Sequence, residues 1–183
     1  MNKLGTLITL LVLFAVPALA QDSGSGPTFE LGAGYTFRAF DFPYSGPRLK
    51  MNGFNVNGDF NLMKWVGVAA EFNDTSYSGI FGDNRVYTYE AGPRVYPFGH
   101  HRFTPFGQAL FGAGHFGSQL LPDYETQFAW SVGVGVDYSL RHHFALRLGP
   151  VSYEKTRFLQ GTAFGPNPDQ VNLVADAGIV FRF

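Results

Sequence analysis

The chain has 183 residues, of which 45% are hydrophobic, 17% are aromatic and only 15% are charged. Because typical soluble domains contain about 25% charged residues, this composition argues against an ordinary water-soluble domain. The formal net charge is −1, close to neutral, which argues against nucleic acid as a partner. The sequence contains no cysteine, which excludes disulfides and a cysteine-linked lipid anchor.

The first twenty residues have the features of an export signal. Lys3 supplies a positive charge, an uncharged apolar run follows, and Ala18 and Ala20 form a small-x-small cleavage site. The run is shorter than the roughly 20 residues that a transmembrane helix needs, and no basic residues follow it. We therefore predict a signal peptide over 1–20, cleaved after Ala20, and a flexible lead-in over 21–27. Loss of Lys3 leaves 12 basic against 14 acidic side chains.

The remaining chain, 28–183, divides into eight segments in which bulky apolar residues alternate with small or polar ones. Side chains of a β-strand point alternately to opposite faces, so this period of two predicts eight strands. They lie near 28–38, 53–62, 65–73, 85–96, 103–114, 127–138, 144–153 and 173–183.

The last segment shows the alternation most clearly, with Phe181 and Phe183 on one face and Arg182 on the other. Two other segments are less regular. Leu110 falls on the polar face of the fifth strand, and the register of the seventh beyond Pro150 stays open. A terminal strand that ends on an aromatic residue, after an export signal, is typical of a bacterial outer-membrane barrel.

The connections between these segments alternate in length. Those over 63–64, 97–102 and 139–143 are short, whereas those over 39–52, 74–84, 115–126 and 155–170 are longer and rich in Gly, Pro, Asp and Asn. Outer-membrane barrels combine short periplasmic turns with long extracellular loops in the same way. An even number of strands then places both termini in the periplasm.

Alternation alone does not tell which face lies inside. An eight-stranded barrel has an interior just wide enough for its side chains to fill. One face carries Phe, Tyr, Trp, Leu and Val at most positions, too much bulk for that space, whereas the other carries glycines with scattered charges and amides. In water the bulky face would be an apolar patch far larger than soluble monomers tolerate. We therefore predict an all-β, eight-stranded, antiparallel up-and-down transmembrane barrel with this face toward lipid.

Aromatic residues near the ends of the segments fit the same interpretation, because their rings favour the headgroup layer of a membrane. The predicted periplasmic ring consists of Trp65, Tyr96, Phe98, Phe103, Tyr138 and Phe144. The predicted outer ring consists of Phe37, Phe72, Tyr87 and Phe128.

Several short stretches, in this order and spacing, resemble the small outer-membrane β-barrel family typified by the membrane domain of outer membrane protein A and by outer membrane protein X. They are Glu90-Ala-Gly-Pro-Arg94, Thr104-Pro-Phe-Gly107, Gly112-Ala-Gly114, Gly133-Val-Gly-Val-Asp-Tyr138, Ala145-Leu-Arg147 and the terminal Phe183. The resemblance implies that the barrel-assembly machinery recognises the terminal strand through Phe181 and Phe183. Unlike outer membrane protein A, the chain is expected to stop at the barrel, without a peptidoglycan-binding domain.

The charged residues on the inward face are the best candidates for a functional site. The alternation places Glu30, Asp59, Glu71, Glu90, Asp137 and Asp176 inside, together with Arg38, Arg94, Arg147 and Arg182. Burying lone charges is costly, so these side chains should pair through charge-assisted hydrogen bonds. The predicted core of this network is Glu71, Glu90, Arg94, Asp137, Arg147, Asp176 and Arg182. The preferred interpretation is a salt-bridge network that fills a closed barrel, and the alternative is a narrow gated ion path or a proton-active site.

Other motifs in the sequence give little support for a binding site. The G-x-G-x-x-G match over 112–117 ends a predicted strand, enters a loop and opens no helix, so we predict no dinucleotide site. The histidine pairs at 100–101 and 142–143 fall in predicted turns without carboxylates or cysteines in register, so we predict no metal and no cofactor.

A lipid A-modifying enzyme is the less favoured alternative. Such catalysis needs a His and a Ser close together at the outer rim, with an acid that orients the His. The only candidates are His115 with Ser118, and Asp123 or Glu125 as the acid, in a segment predicted to be a loop.

The sequence therefore predicts a monomeric, non-enzymatic barrel that contacts outer-membrane lipid and lipopolysaccharide and displays four loops for envelope integrity or adhesion. Loops are where such scaffolds carry function. Aromatic residues that could contact an extracellular surface are Phe40, Phe42, Tyr44, Tyr77, Phe81, Phe116 and Tyr124. A small ion-conducting pore is the alternative, disfavoured because eight strands leave no aqueous channel.

Overall fold

The structure, a computed structural model, describes residues 29–41, 48–79, 82–98, 101–118, 125–158 and 169–183. The predicted signal peptide and lead-in lie outside these residues. Eight strands are present: β1 Phe29–Phe40, β2 Leu49–Met63, β3 Val66–Gly79, β4 Gly82–Val95, β5 Phe103–Ser118, β6 Glu125–Arg141, β7 Phe144–Thr156 and β8 Gln170–Arg182.

Each strand pairs antiparallel with the next, and β8 pairs with β1 to close a barrel. In the closing pair, Glu30 lies opposite Arg182 and Ala33 lies opposite Ile179. The predicted eight-stranded, antiparallel, all-β barrel is thus confirmed. None of the described segments forms an apolar helix of membrane-spanning length.

The two ends of the barrel differ. We call the end with the connections 64–65, 96–102 and 142–143 the turn end, and β1 starts and β8 finishes there. The other end, with the connections 41–48, 80–81, 119–124 and 157–169, is the loop end.

The faces follow the predicted alternation. Tyr35 and Phe128 are 52% and 62% exposed on the outer face, whereas Glu30, Arg38 and Arg94 are fully buried in the lumen. Leu110 is also buried inside, so it occupies the polar face, as its sequence position predicted.

The strands run further toward the loop end than predicted. β5 and β6 have 16 and 17 residues, whereas about 9–11 residues cross a bilayer at a tilt. Within the predicted loop over 74–84, residues 74–79 and 82–84 are in fact paired strand, with Ser76 opposite Arg85 and Gly79 opposite Gly82. Ladder hydrogen bonds join backbone groups, so strands continue into polar sequence where no apolar alternation marks them.

The outer face turns polar where these extensions begin. We call this band the collar; its outward residues are Lys50, Asn52, Ser76, Asp83, Arg85, His115, Thr126, Lys155 and Arg157. Below the collar, toward the turn end, the outer face is apolar on every strand, as a lipid-facing surface requires.

The register of β7 changes at Gly149. Gly149 has a φ of 96°, which favours glycine, and the peptide bond to Pro150 is cis. The ladders shift between Leu148 and Val151, so Val151 points outward and Ser152 inward.

Three predicted aromatic positions are wrong. Tyr96, assigned to the periplasmic ring, is fully buried, with its ring centroid 6.4 Å from that of Phe106. Phe40 and Phe116, assigned to exposed loops, are also buried inside the barrel. Phe40 and Phe116 continue the inward alternation because β1 and β5 extend past their predicted ends. Tyr96 directly follows β4 and faces inward like Arg94, two residues before it.

Candidate functional site: barrel interior and loop end

Arg147 forms the centre of the polar interior. Its Nε and Nη2 donate to the two carboxylate oxygens of Asp137, each over 2.8 Å. Its Nη1 donates to Asp59 Oδ2 over 2.8 Å and to Asn57 Oδ1 over 2.7 Å, and Nη2 lies 3.2 Å from Glu30 Oε2. The guanidinium of one buried residue therefore joins β1, β2, β6 and β7 across the lumen.

Arg94 shares one of these acids. Its Nη1 donates to both carboxylate oxygens of Asp59, over 2.6 Å and 2.5 Å. The Phe106 ring lies beside both cations, with its centroid 4.6 Å from Cζ of Arg94 and 5.1 Å from Cζ of Arg147. Stacking on a ring compensates part of the lost hydration of a buried guanidinium.

Arg182 completes the half of the lumen nearest the turn end. It contacts Glu30 Oε1 at 3.0 Å and Asp137 Oδ2 at 3.3 Å, and its Nη1 donates to Ser139 Oγ over 2.6 Å. Three arginines and three carboxylates thus balance one another in this half.

The half nearest the loop end has a surplus of acid. Arg38 is its arginine; Nη1 donates to Glu154 Oε1 over 2.5 Å and Nη2 to Thr88 Oγ1 over 3.1 Å. Glu90 and Asp176 accept hydrogen bonds from hydroxyl groups, those of Ser131 and Thr36 respectively. Among the described residues, Glu90 Oε1 and Asp176 Oδ2 are buried without a hydrogen-bond partner.

The described lumen therefore contains three carboxylates more than arginines. The carboxylates are Glu30, Asp59, Glu71, Glu90, Asp137, Glu154 and Asp176, and the arginines are Arg38, Arg94, Arg147 and Arg182. Amide and hydroxyl groups donate to several of these carboxylates; for example, Gln108 Nε2 donates to Glu71 Oε2 over 3.1 Å.

The seven residues predicted as the core of the network fall into two groups. Ion pairs join Asp137 to Arg147 and Arg182, and Arg94 Nη2 lies 3.9 Å from Glu71 Oε2. Within the described residues, no ion pair joins Glu90 or Asp176 to an arginine.

Two acids are more central than the sequence indicated, and one was missed. Glu30 and Asp59 were placed inside but outside the core set, although they bind two arginines each. Glu154 was missed because the register shift of β7 decides that it faces inward, and no sequence pattern fixed that shift.

An apolar cluster closes the lumen at the loop end. We call it the plug; it consists of Phe40, Met51, Val86, Phe116 and Phe158, with Leu49 and Tyr77 packed against it. The rings of Phe40 and Phe116 stack with centroids 5.5 Å apart, and Phe158 lies 5.7 Å from Phe116. Gly114 leaves the room that the Phe158 ring occupies, since an added Cβ would overlap it.

Gly114 belongs to the G-x-G-x-x-G match over 112–117, and the structure corrects the interpretation of that motif. Residues 112–117 lie within β5 and do not enter a loop. Gly112 faces the backbone of β4, and an added Cβ there would collide with the Tyr89 carbonyl oxygen. The motif therefore lets β5 approach its neighbours closely.

The enzyme alternative depends on the surroundings of His115. The Nε2 and Nδ1 atoms of His115 lie 2.8 Å from the Tyr89 hydroxyl and 2.6 Å from Thr126 Oγ1. Both ring nitrogens are thus engaged with hydroxyl groups and not with an acid. The Asp123 residue and the side chains of Ser118 and Glu125 lie outside the described part of the chain.

The described histidines do not form a metal centre either. His143 Nδ1 donates to the Arg182 carbonyl oxygen over 2.8 Å, and its ring stacks on Phe181. The described residues contain no group of three or more His, Cys, Asp or Glu side chains that could hold a metal ion. His100 lies outside them.

The chain was compared with family models, curated proteins and solved structures. Residues 6–181 match the family model described as the outer membrane protein beta-barrel domain. No curated protein matches the chain.

Solved structures share the fold. Ail, the attachment invasion locus protein of Yersinia pestis, is 20% identical with a TM-score of 0.60, and the alignment covers 86% of this chain and 99% of that one. Neisserial surface protein A is 14% identical with a TM-score of 0.69, covering 88% and 100%. OprG from Pseudomonas aeruginosa is 11% identical with a TM-score of 0.57, covering 88% and 98%.

Proposed function

The chain belongs to the outer membrane protein β-barrel domain family and resides in the bacterial outer membrane, and from this premise we propose that it is a sealed, non-enzymatic scaffold that displays its loops for adhesion. Envelope integrity is the second role that such a scaffold would serve. The proposal places the loop end outside the cell and both termini in the periplasm.

The observation that carries this proposal is the double closure of the lumen. The ion-pair network around Arg147 fills the half nearest the turn end, and the plug fills the loop end with apolar side chains. Fully buried Arg38, Arg94 and Arg147 are among the largest side chains in the lumen. A barrel filled in this way has no path for solute, so a binding partner can reach only its outer surface and its loops.

The orientation is supported by the asymmetry of the two ends. Two of the three connections at the turn end, 64–65 and 142–143, have two residues. The loop end has a polar collar and connections of up to 13 residues, 157–169, and this difference matches the periplasmic and extracellular sides of such barrels. On β8, the rings of Phe181 and Phe183 pack edge to face with centroids 4.7 Å apart and point outward. This exposed aromatic pair supports recognition of the last strand by the assembly machinery.

The adhesive surface is narrower than the sequence indicated. Phe40 and Phe116 belong to the plug, and Tyr77 packs against it, so these three serve the barrel's stability. The other predicted contact residues, Phe42, Tyr44, Phe81 and Tyr124, lie outside the described residues. The name of the Yersinia pestis relative refers to attachment, which motivates adhesion as the first role to test.

The test compares two variants displayed on cells. In the first, Phe42, Tyr44, Phe81 and Tyr124 are replaced by Ser; in the control, Phe98, 69% exposed at the turn end, is replaced by Ser. Because aromatic residues dominate binding hot spots, adhesion to matrix-coated surfaces should fall about tenfold in the first variant only. Equal adhesion of both variants, with the same amount of folded barrel in each, would contradict the adhesive role.

A second candidate is a cation path, favoured by the surplus of carboxylates in the lumen. The plug argues against it, because a dehydrated apolar cluster is a barrier to ions. Conductance measurements decide between the two.

A further inference from the structure

A notch opens in the outer wall of the barrel between β6 and β7 at the loop end. The β6–β7 ladder stops at the pair of Trp130 and Lys155, although β6 begins five residues earlier at Glu125. A cavity of about 470 Å³ lies there, and it is lined by Gln127, Phe128, Trp130, Lys155 and Arg157. It thus combines aromatic and cationic side chains.

Among the described residues, a single carboxylate, that of Asp169, pairs with both cations of the notch. Lys155 Nζ lies 2.8 Å from Asp169 Oδ2, and Arg157 Nε lies 2.8 Å from Asp169 Oδ1. The hydrogen bond from Lys155, followed by the attraction of both cations, lowers the pKa of the Asp169 carboxyl, which therefore stays ionised. One carboxylate faces two cations, and the two Nη groups of Arg157 make no bond within the described residues.

The notch lies at the height where a membrane changes from apolar to polar. Trp130 lies opposite Lys155, and its ring centroid is 5.9 Å from that of Tyr153, two residues nearer the turn end. Phe128, on the same face of β6 as Trp130, is 62% exposed. Trp and Tyr rings favour the headgroup layer, and Lys and Arg extend their charged ends to the same layer. The two cations of the notch therefore lie at the depth of lipid headgroup phosphates.

We infer that this notch binds the phosphate group of a phosphorylated glycolipid of the outer leaflet, of the lipid A class. Lys155 Nζ and the two Nη groups of Arg157 bind the phosphate oxygens, and Trp130 and Phe128 contact the apolar part of the lipid. Arg presents paired donors to a phosphate, and Lys adds a point charge. Asp169 orients the two cations and competes with the ligand. The inference rests on the proposed position of the loop end in the outer leaflet.

The protein contains its own reporter for this site. It has two tryptophans, and the Trp65→Phe variant retains only Trp130, at the notch. In nanodiscs of phosphatidylcholine, this variant should show a saturable change in fluorescence with diphosphoryl lipid A. Lipid A without its phosphates should bind about tenfold more weakly, the loss expected for one charge-assisted contact. Equal binding of the two lipids would overturn the inference.

Two charge variants separate ligand binding from a merely structural ion pair. In the Trp65→Phe background, Lys155→Gln with Arg157→Gln should weaken binding of diphosphoryl lipid A about tenfold or more. Asp169→Asn should strengthen it severalfold, since it removes the competing anion. If the ion pairs only stabilised the barrel, Asp169→Asn would leave the binding of diphosphoryl lipid A unchanged or would weaken it. Either result would overturn the inference.

The matched control is Arg48→Gln, an exposed cation at the same end on the β1–β2 side of the barrel. This variant should bind diphosphoryl lipid A like the parent. A loss equal to that of the double variant would mean general charge attraction and would overturn the assigned site. Inorganic phosphate alone should compete only weakly; competition at the concentrations of lipid A would overturn the glycolipid as the source of the phosphate.

Failure of this inference is distinguishable from failure of the proposed function. Binding in nanodiscs does not depend on orientation, whereas labelling of a Ser76→Cys variant in intact cells with an impermeant maleimide reports it. Ser76 is an exposed collar residue, and the chain has no other cysteine. Labelling without lipid A binding refutes the notch alone, and binding without labelling refutes the orientation in the proposed function.

Discussion

Arg147 on β7 and Asp59 on β2 are joined across the lumen, Nη1 to Oδ2, over 2.8 Å. The strands that carry them are not neighbours in the barrel, so this contact is made through the interior and not along the wall. Its existence means that the lumen at this level is occupied by side chains.

Replacement of Arg147 by Ala should destabilise the barrel strongly. The change removes one of the two arginines that pair with each of Asp137, Asp59 and Glu30, and breaking a buried pair in this way costs about 3–5 kcal/mol. Urea unfolding in detergent micelles measures the effect. Arg141→Ala, at an exposed position of the turn end, is the control and should unfold like the parent. Equal stability of the two variants would refute the network as a source of stability.

Replacing an acid by its amide in the half nearest the loop end should raise or lower stability, depending on whether that acid pairs with an arginine. Glu90→Gln replaces a buried acid that has no arginine partner among the described residues and keeps an oxygen for the Ser131 hydroxyl, so it should raise stability by about 1 kcal/mol. Glu154→Gln removes the acid that pairs with Arg38 and should lower stability by about 2 kcal/mol. Melting temperatures of both variants check the signs. A loss in both would show that Glu90 is also an ion-pair partner.

Truncation of the plug separates its stabilising role from its sealing role. Phe116→Ala removes a buried ring that packs against two others, and such changes cost about 3–5 kcal/mol. The variant should nevertheless stay closed, because the Arg147 network still fills the lumen nearer the turn end. Thermal unfolding and a bilayer recording test the two parts. Channel activity in this variant would mean that the plug alone seals the barrel.

The terminal aromatic residue should matter for assembly more than for stability. Phe183→Ser removes one half of the exposed ring pair on β8, so less protein should reach the folded state in the outer membrane. The control is Phe103→Ser, which removes an equally apolar ring, 63% exposed at the same end. The folded fraction is measured by heat-modifiable migration of membrane samples. A similar decrease in both variants would indicate a general loss of membrane affinity.

The alternation in the sequence was sufficient to predict the barrel and its two faces. A period of two puts Glu30, Arg38 and Arg94 on the face with less bulk, the bulk of the other face assigns this one to the interior, and the structure has them there. The same rule, followed past the predicted strand ends, would have placed Phe40 and Phe116 inside as well. It was not followed because polar sequence at the loop end resembles a loop, although backbone pairing continues through it.

Which buried acid pairs with which arginine could not be predicted from the sequence. Arg94 and Arg147 share Asp59 because the closure of the barrel brings β2, β4 and β7 around one space, and this distance is a property of the whole sheet. Glu154 depends on the register shift at Gly149, whose backbone geometry a strand pattern does not reveal. The plug was likewise hidden, since its members come from four strands and the segment after β7.

The most direct test of the sealed barrel is a planar-bilayer recording on purified protein that shows heat-modifiable migration. No conductance steps are expected at either polarity, because the network and the plug both block the lumen. Reproducible single-channel steps that change in size with the Glu90→Gln substitution would show an open path past these side chains and would contradict the sealed barrel.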